Sequence, residues 1–403
     1  MTKKIAIINQ RYGLEVNGGS ELYTRQIAEH LSERYDVEVL TSCSLEYTLW
    51  KNHYPEGTEV INGVTVRRFT VDMERDHVIY PVLYKEMMLN PYAPRQIAER
   101  WIDQVGPYCP KLVEYLAEHQ QEYDVVIVVT YLYYTAVRSL PYIGDKAIFI
   151  PTAHREPYFF FDLYREIFDA PKAFVFLTEE ERELVQERYD VEDKIQDVMG
   201  VGIDVPPVVS GEAFIQERKI ENYIIYVGRI DSGKDCPRLF HFFQEYKKRN
   251  KNDLKLVLMG KAVVDIPESD DIISLGFVSD EEKFNGIKGA KALVLPSRFE
   301  SLSISVLEAM ALETPVIVNG ICDVLKGHCV KSNAGLYYTD YYEFESAINY
   351  MLEHEDAYRI MGQNAKKYVD EYFQWDVIMN KFDRMINEVI LSCQEEGTKK
   401  ICG

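Results

Sequence analysis

The sequence KKIAIINQRYGLEVNGGSELYTRQIAEHLSERYDVEVLT, residues 3–41, decides the fold. It opens with a short apolar run, passes through a loop rich in turn residues, and then repeats apolar residues at helical spacing before a second apolar run. Short continuous apolar runs predict buried strands, and a spacing of three to four residues predicts a helix. A strand, a helix and a strand in this order predict a parallel βαβ unit.

The same alternation continues along the chain in two series. The first series continues with the predicted strands VTVRRF at 64–69, DVVIVVT at 124–130, AIFIPT at 147–152 and AFVFLT at 173–178. The second series comprises YIIYVG at 223–228, DLKLVLMG at 253–260, DIISLGF at 271–277, KALVLP at 291–296 and PVIVNG at 315–320. Two such series predict an α/β protein with two Rossmann-like, doubly wound domains that face a ligand cleft at the carboxyl ends of their strands.

The boundary between the two domains is predicted near GVGIDVPPVVSGEAF, residues 200–214, where glycine, proline and valine replace the periodic patterning. We therefore assign residues 1–203 to an N-terminal domain and residues 204–403 to a C-terminal domain. A last helix is predicted over about residues 375–393, and it could cross back to the N-terminal domain.

Composition restricts the compartment and the partners. The chain is 47% hydrophobic but has no run of the roughly 20 apolar residues that a membrane helix needs. Its first residues indicate a strand and not a signal peptide, and seven cysteines without a CxxC pair indicate reduced thiols. We therefore expect a cytoplasmic protein. A net charge of -20 makes nucleic acid an unsuitable partner and allows at most peripheral association with an anionic membrane.

Two glutamates with seven residues between them stand in RFESLSISVLEAMALETPVIVNG, residues 298–320. If Ser301 or Ser303 caps a helix, Glu300 lies before its N-terminus and Glu308 about one and a half turns inside it. Free backbone N–H groups then lie between the two acids, where they can bind an anion such as a phosphate. The alternative is a solvated acid near a helix start and a surface acid on the helix flank.

The segment YVGRIDSGKD, residues 226–235, follows one predicted strand and precedes a helix. Its glycines and Lys234 match the spacing of a P-loop, but Asp235 stands where a P-loop needs a hydroxyl for Mg²⁺. A nucleoside triphosphatase is therefore disfavoured. Arg229 and Lys234 flank a glycine turn at a strand's carboxyl end, where they could neutralise a diphosphate, or they are ordinary surface cations.

Two glycine motifs occur in the first half of the chain. In NGGSE, residues 17–21, Gly18 and Gly19 would let backbone N–H groups approach a ligand, although a tight turn with Ser20 as the helix cap explains them equally well. The GxG of GVGID, residues 200–204, lacks the third glycine and the surrounding strand, turn and helix of a dinucleotide fingerprint, so we interpret it as the interdomain turn.

His154 lies just past the predicted strand AIFI and should point toward the cleft, although most lone histidines are structural. The tyrosine cluster YLYY, residues 131–134, also follows a strand and could offer aromatic faces to a sugar or belong to the core. The sequence has neither metal-ligand spacing of His, Cys and Asp nor a GxSxG nucleophile motif. We therefore expect no metal site.

Taken together, these residues resemble the GT-B glycosyltransferases, and specifically the large retaining family called group 1 or family 4. The resemblance covers nearly the whole chain. It is carried by the NGGSE loop, by His154, by the GVGID turn, by GRIDSGKD and above all by the E-x7-E pattern of FESLSISVLEAMA. The strand PVIVNG and Trp375, which opens the last predicted helix, fit the same pattern.

The resemblance implies that the C-terminal domain binds a nucleotide-sugar donor and the N-terminal domain its acceptor. Arg229 and Lys234 would hold the diphosphate. The backbone N–H groups near Ser301, Leu302 and Ser303 would assist them. Glu300 would contact the hydroxyls of the donor sugar and Glu308 those of the ribose.

His154 would contact the sugar or the transferring centre, and with Glu300 it forms the expected catalytic set. Gly18 and Gly19 would line the cleft near the phosphate. The segment Gly276, Phe277 and Val278 would border the base. One departure from the family is Arg155, which puts a cation beside His154 where many relatives have an acid.

The function that the resemblance implies is transfer of a sugar, with retention of anomeric configuration and without a metal or cofactor, from a nucleoside diphosphate to a saccharide or lipid-linked saccharide. A UDP-sugar is favoured over a GDP- or ADP-sugar, and surface polysaccharide biosynthesis is the expected setting. Two alternatives stay open at this stage. One is a nucleotide-sugar 2-epimerase, and the other is a non-catalytic sugar-nucleotide-binding protein.

Overall fold

The predicted strands pair into two separate sheets. The computed structural model describes residues 2–402 and the side chains of residues 2–395. The chain divides into unit 1, which comprises the residues up to Val201 and those from Ile378 onward, and unit 2, which comprises Gly202–Val377. Each unit is an α/β domain on a largely parallel sheet, so the predicted fold class of two such domains is confirmed.

Unit 1 contains eight of the described strands: β1 (Lys4–Ile8), β2 (Asp36–Ser42), β3 (Gly57–Ile61), β4 (Val64–Phe69), β5 (Val125–Val129), β6 (Ala147–Ile150), β7 (Ala173–Phe176) and β8 (Ile195–Val198). Its helices are α1 (Gly19–Ser32), α2 (Ile79–Leu89), α3 (Arg95–Val105), α4 (Pro110–His119), α5 (Tyr134–Ile143), α6 (Arg165–Asp169) and α7 (Glu179–Gln186). Short 3₁₀ turns occupy Gln120–Glu122, Gly144–Lys146, Pro157–Phe160 and Asp162–Tyr164.

The sheet of unit 1 has the strand order β3-β4-β2-β1-β5-β6-β7-β8. All neighbours are parallel except β3 and β4, which form an antiparallel hairpin. The strand order reverses direction between β1 and β5, and in open α/β sheets ligands bind outside the carboxyl ends of strands at such a switch point. A ligand of unit 1 is therefore expected to bind at the loops that follow β1 and β5.

Unit 2 contains the strands β9 (Tyr223–Val227), β10 (Lys255–Met259), β11 (Ile272–Gly276), β12 (Leu293–Leu295), β13 (Val316–Asn319) and β14 (Gly335–Tyr338). Its helices are α8 (Gly211–Arg218), α9 (Cys236–Arg249), α10 (Asp280–Gly289), α11 (Ile304–Ala311), α12 (Asp323–Ser332), α13 (Tyr341–Glu353) and α14 (Glu355–Tyr372), and α15 (Trp375–Cys402) leads back to unit 1. The parallel sheet has the order β11-β10-β9-β12-β13-β14, with its switch point between β9 and β12.

The inner strands were predictable because both of their faces are covered. Every residue of β5, with the sequence VVIVV, is buried, as expected for a parallel strand between helices. The sequence did not predict β3, β8 or β14, and all three are edge strands. In β3 (GTEVI) and β8 (IQDV), polar residues interrupt the continuous apolar run that marks an inner strand, whereas β14 (GLYY) has only four residues and begins with glycine.

The GVGID turn lies where the chain passes from unit 1 to unit 2. A Cβ on Gly202 would lie 2.3 Å from the indole ring of Trp375, which explains the glycine. The indole N–H of Trp375 donates to Asp204 Oδ2 at 2.9 Å. The predicted division placed residues 204–403 in the second domain and allowed the last helix, over about 375–393, to cross back to the N-terminal domain. In the structure this helix, α15, extends to Cys402 and groups with unit 1 from Ile378 onward.

The carboxyl ends of β9 and β10 are packed so closely that a glycine is required. Gly260 N–H donates to the carbonyl oxygen of Gly276 at 2.7 Å, so three neighbouring strands end side by side. A Cβ on Gly260 would lie 1.9 Å from the carbonyl oxygen of Gly228, and the φ of +141° is one that L side chains rarely adopt. This edge of the sheet therefore depends on Gly260.

We expect Gly260→Ala to lower the free energy of unfolding by roughly 2–4 kcal/mol, because the methyl group adds a clash with backbone to an unfavourable φ. Gly19→Ala is the matched control, since its Cβ would meet no atom within 4 Å. It should change stability by less than about 0.5 kcal/mol. Urea unfolding of both variants measures the difference, and equal stability would contradict the close approach.

Candidate functional site

The strongest candidate site in unit 2 lies at the switch point of its sheet. Strands β9 and β12 pair in parallel, with Leu293 opposite Ile225, so their carboxyl ends lie at the same edge. The loop after β9 carries the GRIDSGKD segment, and the loop after β12 carries Glu300 and leads into α11. Two segments that are far apart in sequence therefore meet where ligands bind in this class of fold.

Asp231 organises the loop after β9. One of its carboxylate oxygens accepts the backbone N–H of Lys234 at 2.7 Å, and the other pairs with the guanidinium of Arg229. The Tyr226 hydroxyl donates to the carbonyl oxygen of Arg229 at 2.6 Å. Asp231 is only 7% exposed, and it holds the guanidinium of Arg229 and the backbone of Lys234.

Sequence reasoning missed Asp231, although a signal was present. An Asp that precedes a turn often accepts the N–H of a residue two or three positions later, and Asp231 stands three residues before Lys234 in a glycine turn. The side chain of Asp231 is therefore a structural part of the candidate anion site.

Lys234 and Glu300 form a direct ion pair across the switch point. The Lys234 Nζ donates to Glu300 Oε1 at 2.6 Å, and the Glu300 side chain is 12% exposed. Burial raises the pKa of the neighbouring Cys322 thiol to about 11, and nearby backbone N–H groups partly oppose this shift. Cys322 is therefore protonated near neutral pH and is not an activated nucleophile.

The start of α11 differs from the expected capped helix. Ser303 occupies the N-cap position with φ 72° and ψ 83°, and its side chain makes no capping hydrogen bond. The expectation that Ser301 or Ser303 caps the helix through its hydroxyl is thus wrong for Ser303. Among the residues that the structure describes, the N–H groups of Leu302 and Ser303 donate to no other group. They remain able to bind an anion.

A buried histidine, His328, contacts this loop through the carbonyl oxygen of Leu302. His328 is 1% exposed, and its Nε2 lies 2.8 Å from the carbonyl oxygen of Leu302, so Nε2 carries the proton and donates. Its Nδ1 lies 3.2 Å from the hydroxyl of Tyr368, which then donates to the ring. These contacts fix the carbonyl side of the loop and leave its N–H side for a ligand.

Glu308 has a lysine partner that the sequence did not suggest. Its Oε1 accepts from Lys283 Nζ at 2.8 Å, and Lys283 also lies 3.2 Å from Asp280. Burial raises the pKa of Glu308, and the Lys283 ammonium partly offsets this effect. The predicted alternative of a surface acid is wrong, because Glu308 is only 8% exposed.

The segment predicted to border a base ends β11. Gly276 has φ +69° and no heavy atom within 4 Å of a Cβ position, and Phe277 is 78% exposed. Val278 is partly buried and precedes α10, the helix that carries Lys283. Because Lys283 contacts Glu308, this segment and the predicted ribose contact are connected through one short helix.

In unit 1, the loop after β1 is held by a buried ion pair. Arg11 and Glu21 pair at 5% exposure each, and Arg11 also donates to the carbonyl oxygens of Leu45 at 2.9 Å and Asn17 at 3.1 Å. A Cβ on Gly18 would lie 2.1 Å from the Glu21 carboxylate. The role of Gly18 that the structure shows is therefore close packing against this pair.

Gly19 and Ser20 lie inside the first turn of α1. No heavy atom lies within 4 Å of a Cβ position on Gly19, so its surroundings are open. The alternative that Ser20 caps this helix is wrong, because α1 begins at Gly19 and its N-cap is Gly18. The Ser20 hydroxyl instead accepts from Gln10 at 3.0 Å and lies 2.9 Å from Glu21 Oε2.

His154 lies on the loop after β6, which contacts the loop after β5, and each of these two loops contains a threonine with positive φ. Thr130 after β5 and Thr152 after β6 have φ values of 74° and 50°, and their hydroxyls are 3.1 Å apart. Positive φ is unfavourable for β-branched residues, and such strain persists where the surrounding structure imposes it, often at functional sites. His154 Nδ1 lies 3.3 Å from Glu156 Oε1, which also accepts from the Tyr131 hydroxyl at 2.7 Å.

The YLYY cluster, residues 131–134, contains two residues of the core and two that are only partly buried. Tyr131 and Tyr134 are 1% and 6% exposed and belong to the core. Leu132 and Tyr133 are partly buried, and Tyr133 packs edge-on against Trp50 with ring centroids 5.5 Å apart. Only the partly buried members could face a ligand.

A buried acid fixes the backbone next to His154. Glu181 accepts the N–H of Ala153 at 2.5 Å and the N–H of Leu177 at 2.6 Å, one on each oxygen. Burial raises the pKa of Glu181 to about 8, and the two backbone N–H groups oppose this shift. The position of the His154 loop thus depends on one carboxyl group that titrates near neutral pH.

The described residues contain neither a candidate metal site nor a candidate membrane-spanning helix. No three side chains of His, Cys, Asp or Glu come together among them in a way that could hold a metal ion. None of their helices combines the length and the apolar character that crossing a membrane requires.

Residues 212–368 match the family model described as group 1 glycosyl transferases. The matched segment contains all the candidate residues of unit 2 named above, from Arg229 to Glu308. This match supports the resemblance to group 1 glycosyltransferases that the sequence motifs indicated.

Two curated relatives agree with this family. The O-antigen chain mannosyltransferase RfbU of Salmonella typhimurium is 28% identical over 268 residues, which cover 59% of this chain and 74% of the relative. The capsular polysaccharide biosynthesis glycosyltransferase CapM of Staphylococcus aureus is 26% identical over 180 residues, which cover 41% of this chain and 46% of the relative. The alignment with CapM thus covers less than half of the length of CapM.

Solved structures of GT-B glycosyltransferases share the fold. Sucrose-phosphate synthase from Thermosynechococcus elongatus has a TM-score of 0.71 at 16% identity, with 97% of this chain and 100% of that chain covered. Anabaena HepE, solved in complex with UDP and glucose, has a TM-score of 0.66 at 14% identity, with 96% and 100% covered. At such identities the likeness concerns the fold alone.

We expect Ser303→Gly to raise the free energy of unfolding by up to about 1 kcal/mol, because glycine adopts the left-handed conformation without the steric cost of a Cβ. Ser305→Gly is the matched control two residues later, inside α11. It should lower stability by roughly 0.5–1 kcal/mol. Thermal unfolding compares the two variants, and loss of stability in both would contradict the strain at Ser303.

The raised pKa of Glu181 predicts a pH dependence of stability. A carboxyl whose pKa is raised on folding stabilises the protein fully below its unfolded value near 4.5, and this contribution is lost as the pH rises toward about 8. The stability of the wild type relative to Glu181→Gln should therefore fall between pH 5 and pH 8, by at most about 1.4 kcal/mol per pH unit. Urea unfolding at three pH values measures this, and a constant difference would be inconsistent with the shift.

Proposed function

We propose that this chain is a retaining glycosyltransferase of the E-x7-E type, family 4, that transfers a sugar from a nucleoside diphosphate to a saccharide or lipid-linked saccharide acceptor. The observation that carries the proposal is the arrangement around the start of α11. Two carboxylates, each paired with a lysine, flank N–H groups that have no other acceptor in the described chain. This arrangement suits a ligand with hydroxyls at both ends and phosphates between them.

The chemistry of each group fits a part of such a donor. Arg229, Lys234 and the N–H groups of Leu302 and Ser303 offer positive charge to a diphosphate, whose negative charge increases as the glycosidic bond breaks. We therefore propose that transfer needs no divalent cation. Front-face attack with retention follows if the leaving phosphate accepts the proton of the incoming acceptor hydroxyl.

The carboxylates suit the two diol-bearing ends. A carboxylate accepts hydrogen bonds from two neighbouring hydroxyls, so we assign Glu300 to the donor sugar and Glu308 to the ribose. Gly276, Phe277 and Val278 are proposed to border the base, since the exposed Phe277 ring offers a face for stacking. For unit 1 the resemblance alone suggests that His154 contacts the sugar and that Gly18 and Gly19 approach its phosphate.

The setting is proposed from the relatives. Their printed names describe O-antigen and capsular polysaccharide synthesis, so we propose a role in building a surface polysaccharide, in the cytoplasm or at the membrane surface. A UDP-sugar is our first choice of donor, and the complex of HepE with UDP and glucose shows that a protein of this fold binds that nucleotide. The 2-epimerase and the non-catalytic binder are not favoured, because the relatives named above are glycosyltransferases.

Incubation of the purified protein with its donor, with and without saccharide acceptors, tests the class of reaction. A transferase forms a new glycoside only when acceptor is present, and the NMR coupling constant of its anomeric proton reports retention. Conversion of the donor to a sugar epimer without acceptor would instead establish the isomerase.

We expect Arg229→Ala and Lys234→Ala to weaken binding of the preferred nucleoside diphosphate roughly 10- to 100-fold, because each removes a charged hydrogen-bond donor. Binding of the parent nucleoside, which has no phosphate, should change less than about 3-fold. Calorimetry of UDP, GDP and ADP and of their nucleosides, with and without Mg²⁺, measures both. Arg249→Ala is the control, since Arg249 pairs with Glu345 on α13. Equal losses for nucleoside and diphosphate would refute the phosphate assignment.

A further inference from the structure

The ion pair between Lys234 and Glu300 joins two groups that the proposed function assigns to different parts of the donor. Lys234 is assigned to the diphosphate and Glu300 to the sugar, yet without a ligand they bond to each other at 2.6 Å. A phosphate that binds the Lys234 ammonium competes with Glu300 for the same positive charge and weakens this bond. The energetic balance of that competition depends on what the ligand offers to each partner.

If Lys234 moves away, the Glu300 carboxylate has little solvent and no other described cation within 4.0 Å to stabilise its charge. Its side chain is 12% exposed, whereas Lys234 is 32% exposed and reaches solvent more easily. Within the part of the chain that the structure describes, Lys234 is the cation within 4.0 Å of the Glu300 carboxylate. Loss of Lys234 therefore leaves a mostly buried carboxylate without its counter-ion.

On the proposed assignments, a nucleoside diphosphate without a sugar draws Lys234 away from Glu300. Its phosphate attracts Lys234, but it brings no hydroxyl to Glu300 and adds negative charge beside it. Removing one partner of a buried or partly buried ion pair costs more than the pair itself contributes, because the remaining charge is poorly solvated. A donor that still carries its sugar offers hydroxyl donors to Glu300 and removes most of that cost.

We propose that Glu300, through its bond to Lys234, is a specificity-determining residue that makes the site bind a nucleotide-sugar in preference to the free nucleoside diphosphate. This inference rests on the donor assignments of the proposed function. The free diphosphate is the product that remains after transfer, so the same bond favours its release. Re-formation of the pair between Lys234 and Glu300 then returns the site to its ligand-free state.

The second pair, Lys283 with Glu308, is not expected to act in this way. Lys283 is 19% exposed, and it is also bound by Asp280 at 3.2 Å. It is assigned to no part of the phosphate, so the ribose can bind Glu308 without displacing it. The discrimination between donor and product is therefore confined to Glu300.

The test is the variant Glu300→Gln, which keeps the shape of the side chain and removes its charge. We expect it to bind the preferred nucleoside diphosphate of the UDP, GDP and ADP panel roughly 5- to 30-fold more tightly than the wild type does, because no charged group is left without a partner. The wild-type preference for the sugar-bearing donor over the free diphosphate should fall toward unity. Isothermal titration calorimetry measures both affinities.

Two controls accompany this variant. Glu345→Gln removes an acid of similar exposure, 13%, whose partner Arg249 is not part of the site, and it should leave both affinities unchanged. Glu300→Ala removes the carboxylate without providing an amide and should shift the diphosphate affinity in the same direction. It replaces Glu300→Gln in the test if the glutamine variant does not fold.

The outcomes separate this inference from the proposed function. If the wild type binds a nucleoside diphosphate but Glu300→Gln binds it no more tightly, the competition is refuted while the donor site stands. If the wild type binds none of the three diphosphates or their sugar conjugates, the proposed function fails and the inference fails with it. A tighter complex together with a reduced preference for the sugar conjugate supports both.

Discussion

Parallel pairing of β9 with β12 brings together two loops whose key residues, Lys234 and Glu300, lie 66 positions apart in sequence. Because every strand of this sheet runs in the same direction, all of the strand-to-helix loops begin at one edge. The reversal of strand order at this point leaves space between the two loops and sets the N-terminus of α11 beside it. The pair of Lys234 and Glu300 and the position of the Leu302 and Ser303 N–H groups beside it depend on this topology.

Several buried or partly buried carboxylates of unit 2 are paired with cations. Asp231, Glu300 and Glu308 each pair with a cation of the same site, and a buried or partly buried carboxylate without such a partner would be strongly destabilising. The pairs therefore serve the ligand-free protein first. Their exchange for phosphates and hydroxyls then connects ligand recognition to the cost of leaving a charge uncompensated, and this cost differs between ligands.

In unit 1 a buried carboxyl group is paired with backbone N–H groups and not with a cation. The loop that carries His154 is held by Glu181, which accepts two backbone N–H bonds, and by the contact between Thr130 and Thr152. Positive φ values at both threonines persist because buried strands on either side fix the chain. A histidine on such a loop is held more rigidly than a histidine on a solvated turn.

The sequence by itself determined the fold class, the two series of inner strands and the candidate residues Arg229, Lys234, Glu300 and Glu308, because continuous apolar runs and helix-start patterns are local properties. It did not predict the edge strands β3 and β8, whose apolar runs are interrupted by polar residues, or the four-residue edge strand β14. Only the tertiary structure decided which charges pair, placed Asp231 and Lys283 in the site and showed that Ser303 does not cap α11 through its side chain. These features depend on contacts between residues far apart in the chain or on backbone conformation imposed by packing, and neither leaves a periodic signal in the sequence.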